Sequence, residues 1–170
     1  QKLVIATFGD SITAGVGDVP GSKGYPARIE SYLPNAVVYN LGKPGETSAQ
    51  GKLRALSAFK SLNQRFDYVV TLEGTNDYFT RSKSSTTTAS NVKSIRNTSF
   101  SFSPVSLIGN LTATSRSYQR SWVSSVNTKL EPLANINFFG FGTGIIGYDG
   151  LHPHSNGYQQ MASLVKTRLK

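Results

Sequence analysis

Apolar residues in the first half of the chain form short runs, and longer segments of helical spacing separate them. Residues 3–8, 36–40 and 68–72 are apolar and rich in β-branched side chains, a composition typical of buried strands. Residues 25–33 and 48–59 have the spacing of amphipathic helices. This alternation predicts a parallel sheet with helices packed on its faces.

The second half continues the pattern less clearly. Residues 121–133 carry Trp122 and three aliphatic side chains on a helical stripe, which places Trp122 in the core. Residues 136–141 predict a late strand, residues 156–169 predict a closing helix, and residues 103–108 are a weak candidate for a fourth strand.

One segment, residues 80–103, breaks the alternation because it is dominated by Ser, Thr, Lys and Asn. We interpret it as a long exposed loop or irregular excursion. With that exception the elements predict a single α/β domain over residues 1–170. Its expected architecture is a three-layer α/β/α sandwich around a central parallel sheet of about five strands.

Composition excludes several classes of protein. Hydrophobic residues make up 38% of the chain and charged residues 16%, with 8 Tyr and 9 Phe, which argues against disorder. No apolar run approaches the roughly 18 residues of a membrane span. The chain has no cysteine, which excludes disulfides, thiolate metal sites and cysteine nucleophiles. Because the sequence opens with Gln1 rather than Met, we expect a processed form or a module of a larger protein.

The net charge of +9 favours anionic partners, such as an acidic polysaccharide or a phospholipid surface. The basic residues are spread from Lys23 to Lys170 without a dense cluster or interleaved aromatics, so we expect no specific nucleic-acid partner. A basic surface that only aids solubility is the alternative interpretation.

A candidate nucleophile, Ser11, follows the first predicted strand in the sequence Gly-Asp-Ser-Ile-Thr. Open α/β sheets bind ligands at this position, after the carboxyl end of a strand and before a helix. A serine hydroxyl attacks an ester only when a base lies within hydrogen-bond reach. The motif alone is common, so a base and an anion-binding site have to be found elsewhere in the chain.

The base has two candidates, His152 and His154. Asp149 precedes His152 by three residues, and in a short turn this spacing lets the carboxylate orient the imidazole and stabilise the imidazolium. His154 has no acid at that spacing. An Asp-x-x-His pair by itself could also be an ordinary surface turn.

Two loops could supply donors to an oxyanion. Gly45 follows the second strand and could present its backbone N–H, while Asn76 follows the third and could present its side-chain amide. Both are expected at the same edge of the sheet as Ser11. Asp10 and Asp77 neighbour these positions, and we interpret them as structural hydrogen-bond partners that hold the loops.

Taken together, these residues resemble the SGNH (GDSL-type) hydrolase family. Gly-Asp-Ser-Ile-Thr is similar to its first conserved block, Gly45 to the second, Gly-Thr-Asn-Asp at 74–77 to the third, and Asp-x-x-His at 149–152 to the last. The resemblance covers residues 3–77 and the chain from Tyr148 onward. The middle of the chain departs from the family pattern.

The resemblance implies a flavodoxin-like SGNH fold and serine-dependent hydrolysis of a carboxylic ester, without a metal or a cofactor. Ser11 would attack the ester, His152 would transfer the proton, and Asp149 would orient His152. The backbone amides of Ser11 and Gly45 and the side chain of Asn76 would form the oxyanion hole.

The substrate is expected to be a small-molecule or polysaccharide ester. The leading hypothesis is O-deacetylation of a carbohydrate, because the chain has few apolar insertions to house a long acyl chain and a basic surface suited to acidic glycans. Tyr78 and Phe79 could line an acyl or sugar pocket, or could pack in the core. The alternatives are a lysophospholipase or thioesterase that acts on fatty acyl esters, and a non-catalytic glycan-binding module. Charge and composition favour an extracellular or cell-surface location.

Overall fold

The computed structural model describes residues 2–169. Four strands in this range form one sheet: β1 (Leu3–Gly9), β2 (Ala36–Gly42), β3 (Tyr68–Leu72) and β4 (Ser106–Ile108). Their order is β2-β1-β3-β4, and every pairing is parallel. The two central strands are mostly buried, which explains their nearly continuous apolar sequences.

Six α-helices and three short 3₁₀ helices connect and cover these strands within the described range. The α-helices are α1 (Ser11–Ala14), α2 (Gly24–Tyr32), α3 (Ser48–Ser61), α4 (Ser85–Ser99), α5 (Arg120–Leu130) and α6 (Ser155–Lys166). The 3₁₀ helices span Thr75–Phe79, Ser117–Gln119 and Phe139–Ile145. No helix within residues 2–169 has the length and apolar character needed to cross a membrane.

Two apolar clusters cover the two faces of the sheet. Ile5 of β1 belongs to a cluster with buried side chains of α2, α5 and α6. Phe8, of the same strand, belongs to a second cluster with Phe59 of α3 and Ile95 of α4. Because strand side chains alternate between faces, one strand contributes to both clusters. The predicted α/β/α sandwich with a central parallel sheet is confirmed.

The expected fifth strand at residues 136–141 is wrong. Only Ile136 pairs with the sheet, through a single parallel bridge to Gly109. Asn137 then accepts a hydrogen bond from the amide of Gly140, and Asn110 accepts one from the amide of Phe139. Asparagine side chains that bond nearby amides favour turns over strands, so the chain enters a 3₁₀ helix.

The expected exposed loop at residues 80–103 is also wrong, because most of it forms α4. Ser84 caps this helix by accepting a hydrogen bond from the amide of Thr87. Its buried face combines Val92 and Ile95 with polar Thr88 and Asn91. The polar half of this face hid the helical periodicity in the sequence. Trp122, which its position on a helical stripe predicts to lie in the core, is only partly buried. It packs against the apolar cluster that contains Ile5.

The outer edge of β2 is occupied by side chains. The carboxylate of Glu30 in α2 accepts a hydrogen bond from the amide of Val38 at 2.9 Å. Asn40 accepts one from the amide of Gly42 at 2.8 Å. Two outward N–H groups of this edge strand are therefore satisfied within the molecule.

Candidate active site

Strand register brings three loops to one edge of the sheet. Gly9 of β1 lies opposite Gly42 of β2 and Leu72 of β3, so the segments that follow these residues emerge together. They carry Ser11, Gly45 and Asn76. Gly9 is required at this point, since a Cβ there would lie 2.1 Å from the carbonyl oxygen of Leu72.

Ser11, His152 and Asp149 form a continuous chain of hydrogen bonds. The Oγ of Ser11 lies 2.9 Å from Nε2 of His152. The Nδ1 of the same ring lies 2.6 Å from Oδ2 of Asp149. With the imidazole proton on Nδ1, Nε2 is free to accept the serine proton. This is the geometry that a nucleophile, its base and an orienting acid require.

The turn that joins Asp149 to His152 fixes the carboxylate. Gly150 adopts a φ of 81°, a left-handed conformation that favours glycine. Oδ1 of Asp149 accepts hydrogen bonds from the amides of Leu151 and His152, both at 2.9 Å. Burial raises the pKa of the Asp149 carboxyl, but these bonds and the bond to the imidazole outweigh it and lower that pKa to about 2. The carboxylate therefore stays charged.

Donors for an oxyanion are present at the same edge. Within residues 2–169, the backbone N–H groups of Ser11 and Gly45 have no hydrogen-bond partner. The side-chain amide of Asn76 donates one hydrogen bond to the carbonyl oxygen of Glu46 at 2.9 Å, and its second N–H has no partner among the described residues. Unpaired donors beside a nucleophile can stabilise the negative charge of a tetrahedral intermediate.

An ion pair between the partly buried Arg54 and the buried Glu46 supports the loop that follows β2 and carries Gly45 and Glu46, here called the oxyanion loop. Arg54 of α3 donates to both carboxylate oxygens of Glu46, at 2.6 and 2.9 Å, and to the carbonyl oxygen of Leu41 at 2.8 Å. Its guanidinium also lies 4.2 Å from the ring centre of Phe8. Since Glu46 holds Asn76 through its backbone, Arg54 positions the oxyanion loop without reaching the reacting atoms.

Two further carboxyl groups, those of Asp10 and Glu73, are buried next to the segments that carry Ser11 and Asn76. Burial, together with the charges of Glu46 and Asp77, raises the pKa of Asp10 to about 7, although the amide of Ile12 donates to it. Glu73 is buried, and within residues 2–169 neither of its oxygens has a hydrogen-bond partner. Burial and the adjacent Glu46 raise the pKa of Glu73 well above its ordinary value, which favours its neutral form.

The structure gives Asp77 and His154 local partners. Asp77 accepts hydrogen bonds from the amide and hydroxyl of Ser48 and from the hydroxyl of Thr88, so it ties α3 and α4 to the Asn76 segment. His154 caps α6 by accepting from the amide of Gly157. Its other ring nitrogen lies 2.9 Å from the carbonyl oxygen of Gly144.

The two aromatic candidates lie beside Asn76 in different settings. Tyr78 is half-buried and packs against Trp122, whereas Phe79 is 58% exposed and so is not a core residue.

Three residues that support the site were not predicted from the sequence: Glu46, Arg54 and Arg116. Arg116 donates to the carbonyl oxygen of Asp149 at 3.1 Å. The acid directly after Gly45 was an available signal for the first of these.

Metal-binding potential is absent from the described chain, since residues 2–169 contain no group of three or more His, Cys, Asp or Glu side chains that could hold an ion. The acid–base groups of Ser11, His152 and Asp149 and the N–H donors of Ser11, Gly45 and Asn76 belong to the protein itself. They can support acyl transfer to a serine.

Comparisons with known proteins agree with this chemistry. The model of the GDSL-like lipase/acylhydrolase family matches residues 7–160. No curated protein sequence matches the chain. Among solved structures, a member of the lipolytic protein G-D-S-L family from Veillonella parvula DSM 2008 is similar, with 20% identity, 98% coverage of both chains and a TM-score of 0.81.

Two further structures share the fold. The lipase/acylhydrolase from Enterococcus faecalis is 21% identical over 99% of this chain and 97% of its own, with a TM-score of 0.79. The psychrotrophic esterase EstA from Pseudoalteromonas sp., inhibited by monoethylphosphonate, is 17% identical over 98% of both chains, with a TM-score of 0.74. With a family match that covers most of its length, this chain belongs to the GDSL-like lipase/acylhydrolase family and is a serine ester hydrolase.

Proposed function

We propose that the chain is a carbohydrate O-acetylesterase that works through an acyl-enzyme on Ser11. The observation that carries the catalytic assignment is the hydrogen-bonded series Ser11–His152–Asp149, with distances of 2.9 and 2.6 Å. The unpaired amides of Ser11 and Gly45 beside it support the assignment of the oxyanion hole.

The reaction follows from these positions. Oγ of Ser11 attacks the ester carbonyl carbon as Nε2 of His152 takes the hydroxyl proton, and the carbonyl oxygen becomes an oxyanion. The N–H groups of Ser11, Gly45 and Asn76 stabilise it. When the intermediate collapses, His152 gives the proton to the leaving alcohol and Ser11 keeps the acyl group. Water, deprotonated by His152, then releases the acid and restores the serine.

The choice of a short acyl group rests on the compact chain of 170 residues, which has few apolar insertions that could house a long acyl chain. A fatty acyl chain needs an apolar channel, since each buried methylene contributes about 0.8 kcal/mol. An acetyl group needs no such channel. The net charge of +9 suits an acidic glycan as the alcohol half.

The location of such an enzyme follows from its substrate. Acidic polysaccharides are found outside the cell, so we place the activity in the extracellular space or on the cell surface. Fractionation of the native source with an antibody against the chain tests this placement, and recovery in the cytosolic fraction alone would contradict it.

The deciding experiment compares wild type and Ser11→Ala on p-nitrophenyl esters from acetate to decanoate. We expect the highest kcat/KM on acetate, a steep fall with chain length, and a loss of about 10³-fold or more in Ser11→Ala. Release of acetate from an acetylated polysaccharide, measured side by side, extends the result to the proposed substrate.

The other outcomes identify the alternatives. A maximum at octanoate or longer would replace the deacetylase with a lysophospholipase or thioesterase. An absence of serine-dependent turnover on every ester, combined with failure of a phosphonate to label Ser11, would leave a glycan-binding module. His154→Gln is a suitable control, because this ring caps α6 and does not contact Ser11.

A further inference from the structure

The excess positive charge of the chain is concentrated in one segment. Residues 78–130 contain seven Lys or Arg residues and no Asp or Glu. The other 117 residues share eleven basic residues and all nine acids. The positive charge of this segment is hard to notice in the sequence, because it comes from the absence of Asp and Glu and not from a cluster of Lys and Arg.

This acid-free segment borders the candidate active site on two sides. It begins next to Asn76, in the same 3₁₀ helix. Further along, the amide of Ser115 and the hydroxyl of Thr114 both donate to the carbonyl oxygen of Gly150, within the turn that carries His152. The segment therefore connects the 3₁₀ helix that carries Asn76 to the turn that joins Asp149 and His152.

An aromatic platform, defined as Tyr78, Phe79, Tyr118 and Trp122, lies in this segment. The ring of Tyr78 packs against the other three, with centroid distances of 5.4, 5.9 and 5.6 Å. Its hydroxyl donates to the carbonyl oxygen of Tyr118, and Trp122 donates to that of Lys83. Although the rings are held in this way, Phe79 and Tyr118 remain 58% and 61% exposed.

One cation contacts the platform, and a second, Arg116, directly precedes the 3₁₀ helix that carries Tyr118. The Nζ of Lys83 lies 4.4 Å from the ring centre of Tyr78. Arg116 uses its Nε to bond the carbonyl oxygen of Asp149, and within residues 2–169 the other guanidinium nitrogens make no hydrogen bond. A fixed guanidinium with free N–H groups is suited to bidentate recognition of a carboxylate.

We infer that the aromatic platform, Arg116 and Lys83 form a subsite for an acidic polysaccharide chain, which they align so that an acetyl ester on a neighbouring sugar reaches Ser11. The inference rests on the proposed function and names the charge of its substrate. The apolar face of a pyranose ring packs on the exposed rings, and its carboxylate pairs with Arg116. Exposed aromatic rings and cations also suit single-stranded nucleic acid, but that polymer carries no carboxylic ester to present to the nucleophile.

The test measures binding separately from turnover. In a Ser11→Ala background, calorimetric titration compares polygalacturonate, an acidic polymer without acetyl groups, with neutral dextran. We expect polygalacturonate to bind about tenfold or more tightly, and Tyr118→Ala and Arg116→Met each to weaken it about five- to tenfold. Circular dichroism establishes that each variant is folded.

Matched controls exist for both substitutions. Phe100→Ala removes an exposed aromatic ring beyond the far end of α4, and Lys60→Met removes a cation from α3. Both should change the affinity less than about twofold. Equal losses in these controls, or equal binding of dextran and polygalacturonate, would overturn the inference. So would equally tight binding of a single-stranded DNA oligomer or of phosphatidylglycerol vesicles, because the surface would then respond only to charge.

Failure of the proposed function gives a different result. If wild type hydrolyses no ester, the proposed esterase is wrong whatever the titrations show. If wild type deacetylates glycans but Ser11→Ala binds polygalacturonate no better than dextran, the esterase stands and the acidic subsite alone is wrong. Among active variants, kcat/KM on acetylated polygalacturonate should fall further than kcat/KM on p-nitrophenyl acetate.

Discussion

Carboxyl groups on two sides of the nucleophile experience opposite environments. Asp149 has a 39% exposed side chain and accepts hydrogen bonds from three N–H groups, so its pKa falls to about 2. Asp10 is buried beside other acids and accepts fewer bonds, so its pKa rises to about 7. Hydrogen-bond donors and neighbouring charges therefore decide which of the two carboxyl groups stays ionised at neutral pH.

Removal of the negative charge of Asp149 should reduce the activity more than any other single change at these carboxyl groups. We expect Asp149→Asn to lower kcat on p-nitrophenyl acetate about 10³- to 10⁴-fold, because an amide cannot hold the Nδ1 proton of His152 in place or stabilise the imidazolium. Steady-state kinetics at pH 8 give the size of the loss.

The wild-type pH profile provides an independent check on Asp149. Since the pKa of Asp149 is about 2, this carboxylate stays charged from pH 4 to 9, and an acid limb in that range does not report its protonation. A loss of less than about tenfold in Asp149→Asn would show that the exposed carboxylate is not needed for catalysis.

The buried carboxyl groups are best tested through Arg54, which forms an ion pair with Glu46. Arg54→Met leaves a buried carboxylate without its partner, so we expect the free energy of unfolding to fall by about 3–5 kcal/mol. Because Glu46 also holds Asn76, kcat of the folded fraction should fall about tenfold or more, with a smaller change in KM.

A matched ion pair separates stability from positioning. Arg28 pairs with Asp18, and these two side chains are at least as buried as those of Arg54 and Glu46. Arg28 also donates to Ser155, close to the His152 turn, and its hydrogen bonds do not reach the loop that carries Gly45 and Glu46. Arg28→Met should destabilise the fold comparably and lower kcat of the folded enzyme less than Arg54→Met does. If the two variants lose kcat equally, Arg54 has no specific effect on the oxyanion loop.

The smallest expected effect concerns Asp10. Between pH 3.8 and about 7 the folded state holds a proton on Asp10 that the unfolded chain has lost, so this group lowers the free energy of unfolding as pH rises through that window. Asn at this position can still accept from the amide of Ile12. Asp10→Asn should therefore stabilise the fold by about 2–4 kcal/mol at pH 8, with little effect at pH 4.

Guanidinium unfolding at the two pH values measures this effect. Asp67→Asn, at an exposed position, corrects for the general effect of removing one negative charge. An equal increment at pH 4 and pH 8 for Asp10→Asn would contradict a raised pKa.

The sequence was most informative where burial is continuous. The apolar runs of β1 and β3 could be read directly, because parallel strands covered on both faces leave few positions for polar residues. Three of the candidate site residues, Ser11, Gly45 and Asn76, could then be placed at one sheet edge by strand polarity alone.

The middle of the chain could not be read in the same way. The buried face of α4 includes Thr88 and Asn91, whose partners are Asp77 and Ser48 from other segments. Such long-range hydrogen bonds leave no local periodicity, so a helix looked like a loop. The Arg116 contact with Asp149 joins positions 33 residues apart and was equally invisible.

The outer edge of β2 affects how copies of the enzyme meet in concentrated solution. An open strand edge is a template onto which a strand from another molecule can add, and aggregation can begin there. In β2, Glu30 and Asn40 already occupy the amides of Val38 and Gly42. An incoming strand would have to displace both side chains before it could pair, so the sheet is protected from growing across molecules on that side.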